Sequence, residues 1–524
     1  MTSSPETEAA SFGKPDPILL AKFNTEIKSK VPHWQEGPEG SFVQNPTPLT
    51  DVTSDLVECA RTDYDLVLSG KIKVYGKLDS QIYGGSVKVR PMAQIIEQAI
   101  RTGRLRTGQM IFEATSGNFG LALGLLRSLD LEVITLISRK LQKGVMEELE
   151  RQGVKTIDLD VDICPAPGLK VAENVLIAKT VAQNVKQQLS KLGLDTSIYD
   201  RSLRGILQLL ARQDVIGLSK HLAKIYNGFC PEQYDNEYNV LAHELITGPE
   251  MDQQLLREGY SLADFKIVTT FGTGGTSTGL SNYTLKKYGQ KNLHVVYPLS
   301  NQEVAGIRTR DKSLGLKFYR PELYMGQHEI DFEAAKPLFR FFAHKGYDMG
   351  ESSALALYAC LQMLNFGEGQ QFVVIFADGL EKYQRTLGPL EEQEKRYEVS
   401  FDEAKSRPEE YATVLWTHTA FAPKNEGIQL IASSLGRRID DIKIARAQDI
   451  QTLLMTETIP ETLNSLLLAH KRVLLVCMVG ATSFRVAELL GAKGMDAVSM
   501  TGGIMGLAGT RERSPSDLVQ PATE

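Results

Sequence analysis

Lys88 stands in Gly84-Gly85-Ser86-Val87-Lys88-Val89-Arg90, after a glycine turn and before a run with helical spacing. A lysine at the positive end of a helix dipole is held neutral more readily than a surface lysine, and a neutral amine can join an aldehyde as a Schiff base. Gly272-Thr273-Gly274-Gly275-Thr276 follows an apolar run, Lys266 to Phe271, and precedes a helix expected over Thr278 to Tyr288. Converging backbone N–H groups, a helix N-terminus and threonine hydroxyls at such a turn suit a phosphate dianion. It is not the dinucleotide fingerprint, and no acidic ribose-binding residue follows it. A third turn, Thr115-Ser116-Gly117-Asn118-Phe119-Gly120, offers hydroxyls and N–H groups to an anion, and Ser116 or Asn118 there can equally cap the next helix. Near the C-terminus, Cys477 ends an apolar run and opens Met478-Val479-Gly480-Ala481-Thr482-Ser483, a loop of small residues able to surround a sulfur anion. A buried cysteine at a strand end is the plainer alternative.

The elements that must carry these residues alternate in type. Lys71 to Tyr75 reads as a strand, and Met92, Ile95, Ile96, Ala99 and Ile100 recur as on a helix face, with Pro91 in its first turn and Gly103 at its end. Met110 to Phe112 (strand), Leu121 to Leu126 (helix), Leu131 to Ile137 (strand buried on both faces), Leu141 to Arg151 (helix) and Val154 to Leu159 (strand) continue the pattern. Repeated units of this kind predict open parallel sheets wound with helices on both faces. Lys170 to Tyr226 is helical in composition, and strands return at Phe265 to Phe271, Leu293 to Pro298 and Gln371 to Asp378. A charged stretch from Gly388 to Arg407 reads as a linker, and a smaller α/β unit follows, with Arg472 to Cys477 and Ala497 to Met500 as strands and Ser483 to Leu490 as a helix. The domains expected are a disordered leader over 1–17, a catalytic domain over 18–390, a linker over 391–410 and a second domain over 411–524.

With 524 residues and a formal charge of −6, the chain is too long for one ordinary domain and too weakly charged to suggest a polyanionic partner. Its five cysteines have neither metal-ligand nor disulfide-framework spacing, which predicts a reducing, cytoplasmic setting and no metal. No apolar run is long enough for a membrane span.

Taken together and in this order, Lys88 with its flanks, Thr115 to Gly120, Gln233-Tyr234-Asp235-Asn236, Thr247-Gly248-Pro249-Glu250 and Gly272 to Thr276 resemble the cysteine synthase and cystathionine β-synthase-like branch of the pyridoxal phosphate (PLP) enzymes, over roughly residues 40 to 390. The resemblance implies an α/β, fold type II enzyme of two doubly wound open-sheet subdomains, usually a homodimer. It implies PLP held by Lys88, with its ring against Asn118 and its phosphate on Gly272, Thr273, Gly274, Gly275 and Thr276. It places the substrate against Thr115, Ser116, Gly117, Phe119 and Gln233. Against the family pattern, Phe119 replaces a threonine and about thirty residues are added near 170–226, as loose helix periodicity suggests. The serine that bonds the cofactor's pyridine nitrogen falls on Gly379, so Asp378 either turns inward to serve that nitrogen or caps a turn. Gly306-Ile307-Arg308-Thr309-Arg310 resembles the arginine segment of the subgroup accepting phosphoserine or thiosulfate, so Arg308 and Arg310 either bind an anion or belong to a solvated loop.

Arg472 to Ser483 and Met500-Thr501-Gly502-Gly503-Ile504 resemble the rhodanese sulfur carriers, with Cys477 as the persulfide cysteine. The acidic strand-end motif of those proteins is replaced by Val414-Leu415-Trp416-Thr417-His418, and the loop lacks their arginine. The expected activity is β-replacement on O-acetylserine or O-phosphoserine through an aminoacrylate, with a sulfur nucleophile supplied through the second domain and a sulfur-donor protein as its partner. An amine nucleophile, as in diaminopropionate-type pathways, and a non-catalytic sulfur-responsive scaffold are the alternatives.

Overall fold

The computed structural model describes residues 13–37, 40–115, 117–138, 143–159, 175–300, 302, 304–367, 370–383, 397–419, 421–467, 472–478, 480–508 and 518–521. The chain begins with α1 (Pro17–Glu26), capped by Asp16, then the hairpin of β1 (His33–Gly37) and β2 (Gly40–Gln44), β3 (Leu49–Asp51), α2 (Thr53–Asp63), β4 (Lys73–Leu78) and α3 (Val89–Arg101). Asp16 also accepts bonds from the backbone and hydroxyl of Thr107. Residues 13–17 are therefore docked, contrary to the leader expected there, while residues 1–12 lie outside the described part.

A three-stranded parallel sheet follows, made of β5 (Met110–Ala114), β6 (Glu132–Ser138) and β7 (Lys155–Leu159), with α4 (Asn118–Gly124) and α5 (Lys143–Arg151) between them. Next comes the expected helical segment: α6 (Val175–Lys191), α7 (Thr196–Arg201), α8 (Leu203–Ala211) and α9 (Val215–Ile225). The chain returns through α10 (Tyr238–Ala242), a π-helical turn (His243–Thr247) and α11 (Gly248–Arg257) to β8 (Lys266–Thr270), α12 (Gly275–Tyr288), β9 (Leu293–Pro298), α13 (Arg310–Ser313), β10 (Gly326–Ile330), α14 (Phe332–His344), α15 (Glu351–Asn365) and β11 (Gln371–Phe376).

The larger sheet has the order β10-β9-β8-β11-β4-β3, all parallel except the edge strand β3. Alternate residues of its strands feed two separate cores. Val74, Val268, Val296 and Val374 pack with α2, α14 and α15, while Tyr75, Ile267, Val295 and Val373 pack with α11 and α12. The period of two in a strand makes this division automatic, and burial on both faces explains the near-continuous apolar runs.

The smaller unit comprises β12 (Glu398–Val399), α16 (Phe401–Ser406), β13 (Thr413–Trp416), β14 (Phe421–Pro423), α17 (Asn425–Ser434), β15 (Ile442–Ile444), α18 (Ala447–Thr456), α19 (Glu461–Leu466), β16 (Val473–Val476), α20 (Ala481–Ala492), β17 (Ala497–Met500), α21 (Gly503–Ala508) and β18 (Val519–Pro521). Five parallel strands have the order β12-β17-β16-β13-β15, and β14 pairs with β18 apart from them. The linker expected over 391–410 is thus corrected: residues 391–396 lie outside the described part, but β12 pairs with β17, and Val399 and Ala404 are buried. The second unit begins before residue 400. Two other bounds shift. The strand expected at Lys71 to Tyr75 is Lys73–Leu78, and α12 starts at Gly275 rather than Thr278, which puts Thr276 in its first turn.

Candidate active site

Lys88 is the N-cap of α3. Its segment is tied to the end of β11 by a bridge between Ser86 and Asp378 and a bond of 2.7 Å from Val87 N to Ala377 O. A Cβ on Gly272 would lie 3.6 Å from Lys88 Nζ, so the lysine and the glycine turn face each other closely. Burial, and then the nearby charge of Arg308, lower the Lys88 amine to about 8. Arg308 is itself buried, with its guanidinium 5.0 Å above the ring of Tyr234 and its backbone N–H bonded to Phe271 O at 2.8 Å.

A cleft enclosing about 490 Å³ of non-atom space, part of it open to solvent, joins these parts. Val87, Lys88, Asn118, Thr269, Thr270, Gly272, Thr273, Gly274, Thr276, Ser277, Ala305, Gly306, Ile307, Ser352, Ile375 and Ala377 line it, and no carboxylate is among them. At one end lie the first-turn N–H groups of α12, which have no intrahelical acceptor. Thr273 Oγ1 accepts from Asn239 Nδ2 at 2.9 Å, and Asn239 also donates to Gln233 O at 2.7 Å. An amine at one wall and an unneutralised anion cradle at the other fit a phosphorylated aldehyde. PLP would be held by Lys88 and by Gly272 to Ser277.

The third turn wraps around Thr115, whose Oγ1 accepts from the N–H groups of Gly117 at 3.1 Å and Gly120 at 3.3 Å. Thr115 thus satisfies N–H groups at the start of α4, whose N-cap is Gly117. Ser116 lies outside the described residues, and Gly117 has φ of 133°, a conformation that disfavours any side chain. Asn118 faces the cleft. Its Nδ2 donates to Asp378 Oδ2 at 2.7 Å, and its Oδ1 accepts from Lys382 Nζ at 2.5 Å. Gln233 is buried, donating from Nε2 to Ala114 O at 3.1 Å beside Thr115.

Three expectations are corrected. Phe119 does not face the cleft; it is buried in the apolar core formed with α1 and α3. Arg310 is exposed, 3.6 Å from Glu329, so only Arg308 of the two arginines turns inward. Gly379 does not mark a gap in the cleft wall, because a Cβ there would lie 2.4 Å from Asp348 Oδ1. Asp378 is buried and turned inward, but toward Asn118 and the hydroxyl of Tyr383 (2.6 Å) rather than as a turn cap. Among the hydroxyl-bearing residues that line the cleft is Ser352, in the first turn of α15.

Sequence reasoning passed over other residues as well. Arg90, two residues after Lys88, makes buried ion pairs with Asp79 (2.7 Å) and Glu250 (2.6 Å), and Glu250 also pairs with Lys77. This network fastens α3 to β4 and α11 beneath the cleft, and losing one partner would strand a buried charge. Glu113, fully buried before Thr115, accepts from Glu232 N at 2.8 Å, and burial pushes its carboxyl up to about 8.

In the second unit Cys477 follows β16 and is buried. Its Sγ accepts from Gly480 N at 3.0 Å and from the hydroxyl of Ser483 at 3.3 Å, and Ser483 and Ser499 hydroxyls lie 2.8 Å apart. The chain leaves β13 toward β15 and leaves β16 toward β17, in opposite directions along the sheet. Cys477 therefore sits at the switch point, where open α/β sheets place their ligands. Val479 lies outside the described residues.

Comparison with known proteins identifies the family. The model of the family described as pyridoxal-phosphate dependent enzyme matches residues 46–378, and the chain belongs to that family. It is a PLP-dependent enzyme. It is 27% identical over 322 residues to the cysteine synthase of Staphylococcus aureus, covering 60% of this chain and 88% of the relative. It is 25% identical over 320 residues to the O-acetylserine dependent cystathionine beta-synthase of Bacillus subtilis, again covering 60% and 88%. The crystal structure of O-acetylserine dependent cystathionine beta-synthase from Helicobacter pylori superposes with a TM-score of 0.47 at 24% identity, covering 64% of this chain and 94% of that one. Among the described residues no helix is long and apolar enough to cross a membrane, and no group of three or more His, Cys, Asp or Glu could hold a metal ion.

Proposed function

We propose that the chain exchanges the β-substituent of an activated serine, O-acetylserine or O-phosphoserine, for a sulfur nucleophile. The observation that carries this reading is Lys88: a half-buried lysine whose amine desolvation and Arg308 lower to about 8, without a carboxylate partner among the described residues, facing a glycine turn at a helix N-terminus. PLP, when bound, supplies the electron sink that makes a substrate α-proton removable and lets a β-substituent leave. Lys88 Nζ then takes that proton. Thr115 and the N–H groups of its turn, with Gln233, hold the substrate carboxylate. Ser352, which lines the cleft, would offer the ring the hydroxyl that Gly379 lacks, and Arg308 would receive the anionic leaving group. The homology to cysteine synthase and to cystathionine β-synthase supports the general reaction.

The second unit supplies the sulfur. A persulfide on Cys477 would be stabilised by the same Gly480 N–H and Ser483 hydroxyl that now meet its thiol. Addition of its terminal sulfur to the β-carbon leaves a disulfide between Cys477 and the product, which two thiol equivalents reduce. Tethering raises the local donor concentration to about the millimolar range. The enzyme works as a homodimer in this reading, and light scattering at micromolar concentration tests that. The central test presents acetylserine and phosphoserine against sulfide, thiosulfate, a protein persulfide and amino acids, with products identified by mass. A sulfur amino acid supports the proposal. A product formed only with an amine nucleophile overturns it and selects the amine-adding synthase.

A further inference from the structure

The β11 wall of the cleft ends at a position without a side chain. Ile375 and Ala377 both line the cleft. Extended pairing runs on past β11, through the bond from Val87 N to Ala377 O and the bridge between Ser86 and Asp378. The period of two along such a segment puts residue 379 on the same side as 375 and 377. That residue is Gly379, and the carboxylate of Asp348 fills the space its side chain would take: a Cβ there would lie 2.4 Å from Oδ1 and 2.7 Å from Oδ2. Asp348 belongs to the loop between α14 and α15 and is held from two sides. Its carbonyl accepts from Ser80 Oγ at 2.5 Å, and its Oδ1 accepts from Leu380 N at 2.7 Å. Oδ2 has no hydrogen-bond partner among the described residues. Of the neighbouring carboxylates, Asp378 is engaged by Asn118 and Tyr383, and Glu351 is buried beside Ser352.

In PLP the aldehyde carbon and the ring nitrogen stand at opposite ends of the pyridine. An aldehyde at Lys88 and a phosphate at the turn before α12 therefore turn the nitrogen away from Lys88. We propose that Asp348 is a further cofactor-binding residue: standing in the place of a side chain at residue 379, its Oδ2 accepts the N–H of a protonated pyridine nitrogen. A hydroxyl such as that of Ser352 can bond the nitrogen with or without its proton, whereas an ionised carboxylate only accepts and so demands the proton. A negative charge at that nitrogen strengthens the ring as an electron sink. Gly379 and Asp348 thus work as a pair, the bare position making room for a charged group brought in from another loop. This rests on the reading that PLP joins Lys88 and lays its phosphate at the turn Gly272 to Thr276.

The test loads apo protein with PLP carrying a 15N label in the ring and reads the resonance of that nitrogen, which reports its protonation directly. The wild type at neutral pH should show a protonated nitrogen. Asp348→Asn keeps an acceptor for Leu380 N and should shift the resonance to the unprotonated position. Glu351→Gln and Ser352→Ala should leave it protonated. The double variant Asp348→Ala with Gly379→Ser trades the carboxylate for a hydroxyl at the bare position. It should bind PLP with the nitrogen unprotonated, which keeps the proposal testable where Asp348→Asn fails to fold. An unprotonated nitrogen in the wild type, or a proton that survives the loss of Asp348 in either variant, overturns the role of Asp348. Loss of the proton in Glu351→Gln overturns it as well and passes the role to Glu351. The absence of a borohydride-reducible adduct between PLP and the wild type instead overturns the reading of Lys88 on which the proposal rests.

Discussion

Asn118, the first residue of α4, donates its side-chain amide to Asp378 at the end of β11 across 2.7 Å, joining the small sheet's helix to the large sheet's central strand. The opposite side of the same amide accepts from Lys382, so the side chain has one orientation: nitrogen toward the carboxylate and oxygen toward the cation. The carboxylate also holds the buried hydroxyl of Tyr383.

Asp378→Ala should therefore cost more than Asp378→Asn, because it strands the Asn118 amide and the Tyr383 hydroxyl together. About 2–4 kcal/mol is expected for Ala, from one or two buried groups left unpaired. Denaturant unfolding of the two variants measures the difference. Equal, negligible losses would show that the contact does not hold in solution.

Lys88 should govern how the pH affects cofactor uptake. With the amine at about 8, about a tenth of it is neutral at pH 7. The rate of imine formation by apo protein should rise about tenfold per pH unit up to 8 and then level, whereas an unshifted lysine would continue to about 10.4. Arg308→Gln removes one cause of the shift, so its plateau should move to higher pH. Lys88→Ala should abolish the borohydride-reducible adduct. A full adduct in Lys88→Ala would assign the cofactor to another lysine.

Glu113 should make stability fall as pH rises. Burial is the main cause of its raised pKa, with the Glu232 carboxylate adding and Lys220 subtracting. Its folded pKa exceeds the unfolded one, so the folded state binds the extra proton between about 4.3 and 8, and stability is lost across that window. Glu113→Gln should remove that dependence and exceed the wild type at pH 9 by on the order of a few kcal/mol, with the gap closing toward pH 5. Parallel melting curves for the two proteins from pH 5 to 9 would refute this.

Cys477→Ser should abolish turnover with thiosulfate or a protein persulfide and spare turnover with free sulfide, since Lys88 chemistry needs no second unit. Product formation that is unchanged with every donor would leave the C-terminal unit as a docking or regulatory module.

Lys88, the turn at Gly272 and the turn at Thr115 were legible because each is a local pattern, glycine between a strand and a helix. The contribution of Ser352 was not, since nothing around Gly350 to Ser353 marks a hydroxyl that only the packing of α15 brings to the cleft. Arg308 and Arg310 are two residues apart, and spacing alone did not tell which faces inward. The linker was misjudged because a strand as short as Glu398–Val399 carries no alternation to read.

The helical segment from α6 to α9 answers to two masters. Val181, Val185 and Leu189 belong to one continuous apolar core that takes in residues of β5 to β7 and Trp416, Val476 and Val519 of the C-terminal unit. Removing the residues after 397 would thus lay bare a hydrophobic wall on the catalytic part, and substitutions in α6 would be felt in both halves at once. The segment is a keystone: the two units cannot diverge in sequence independently of one another, even though the chemistry proposed for each uses a different set of residues.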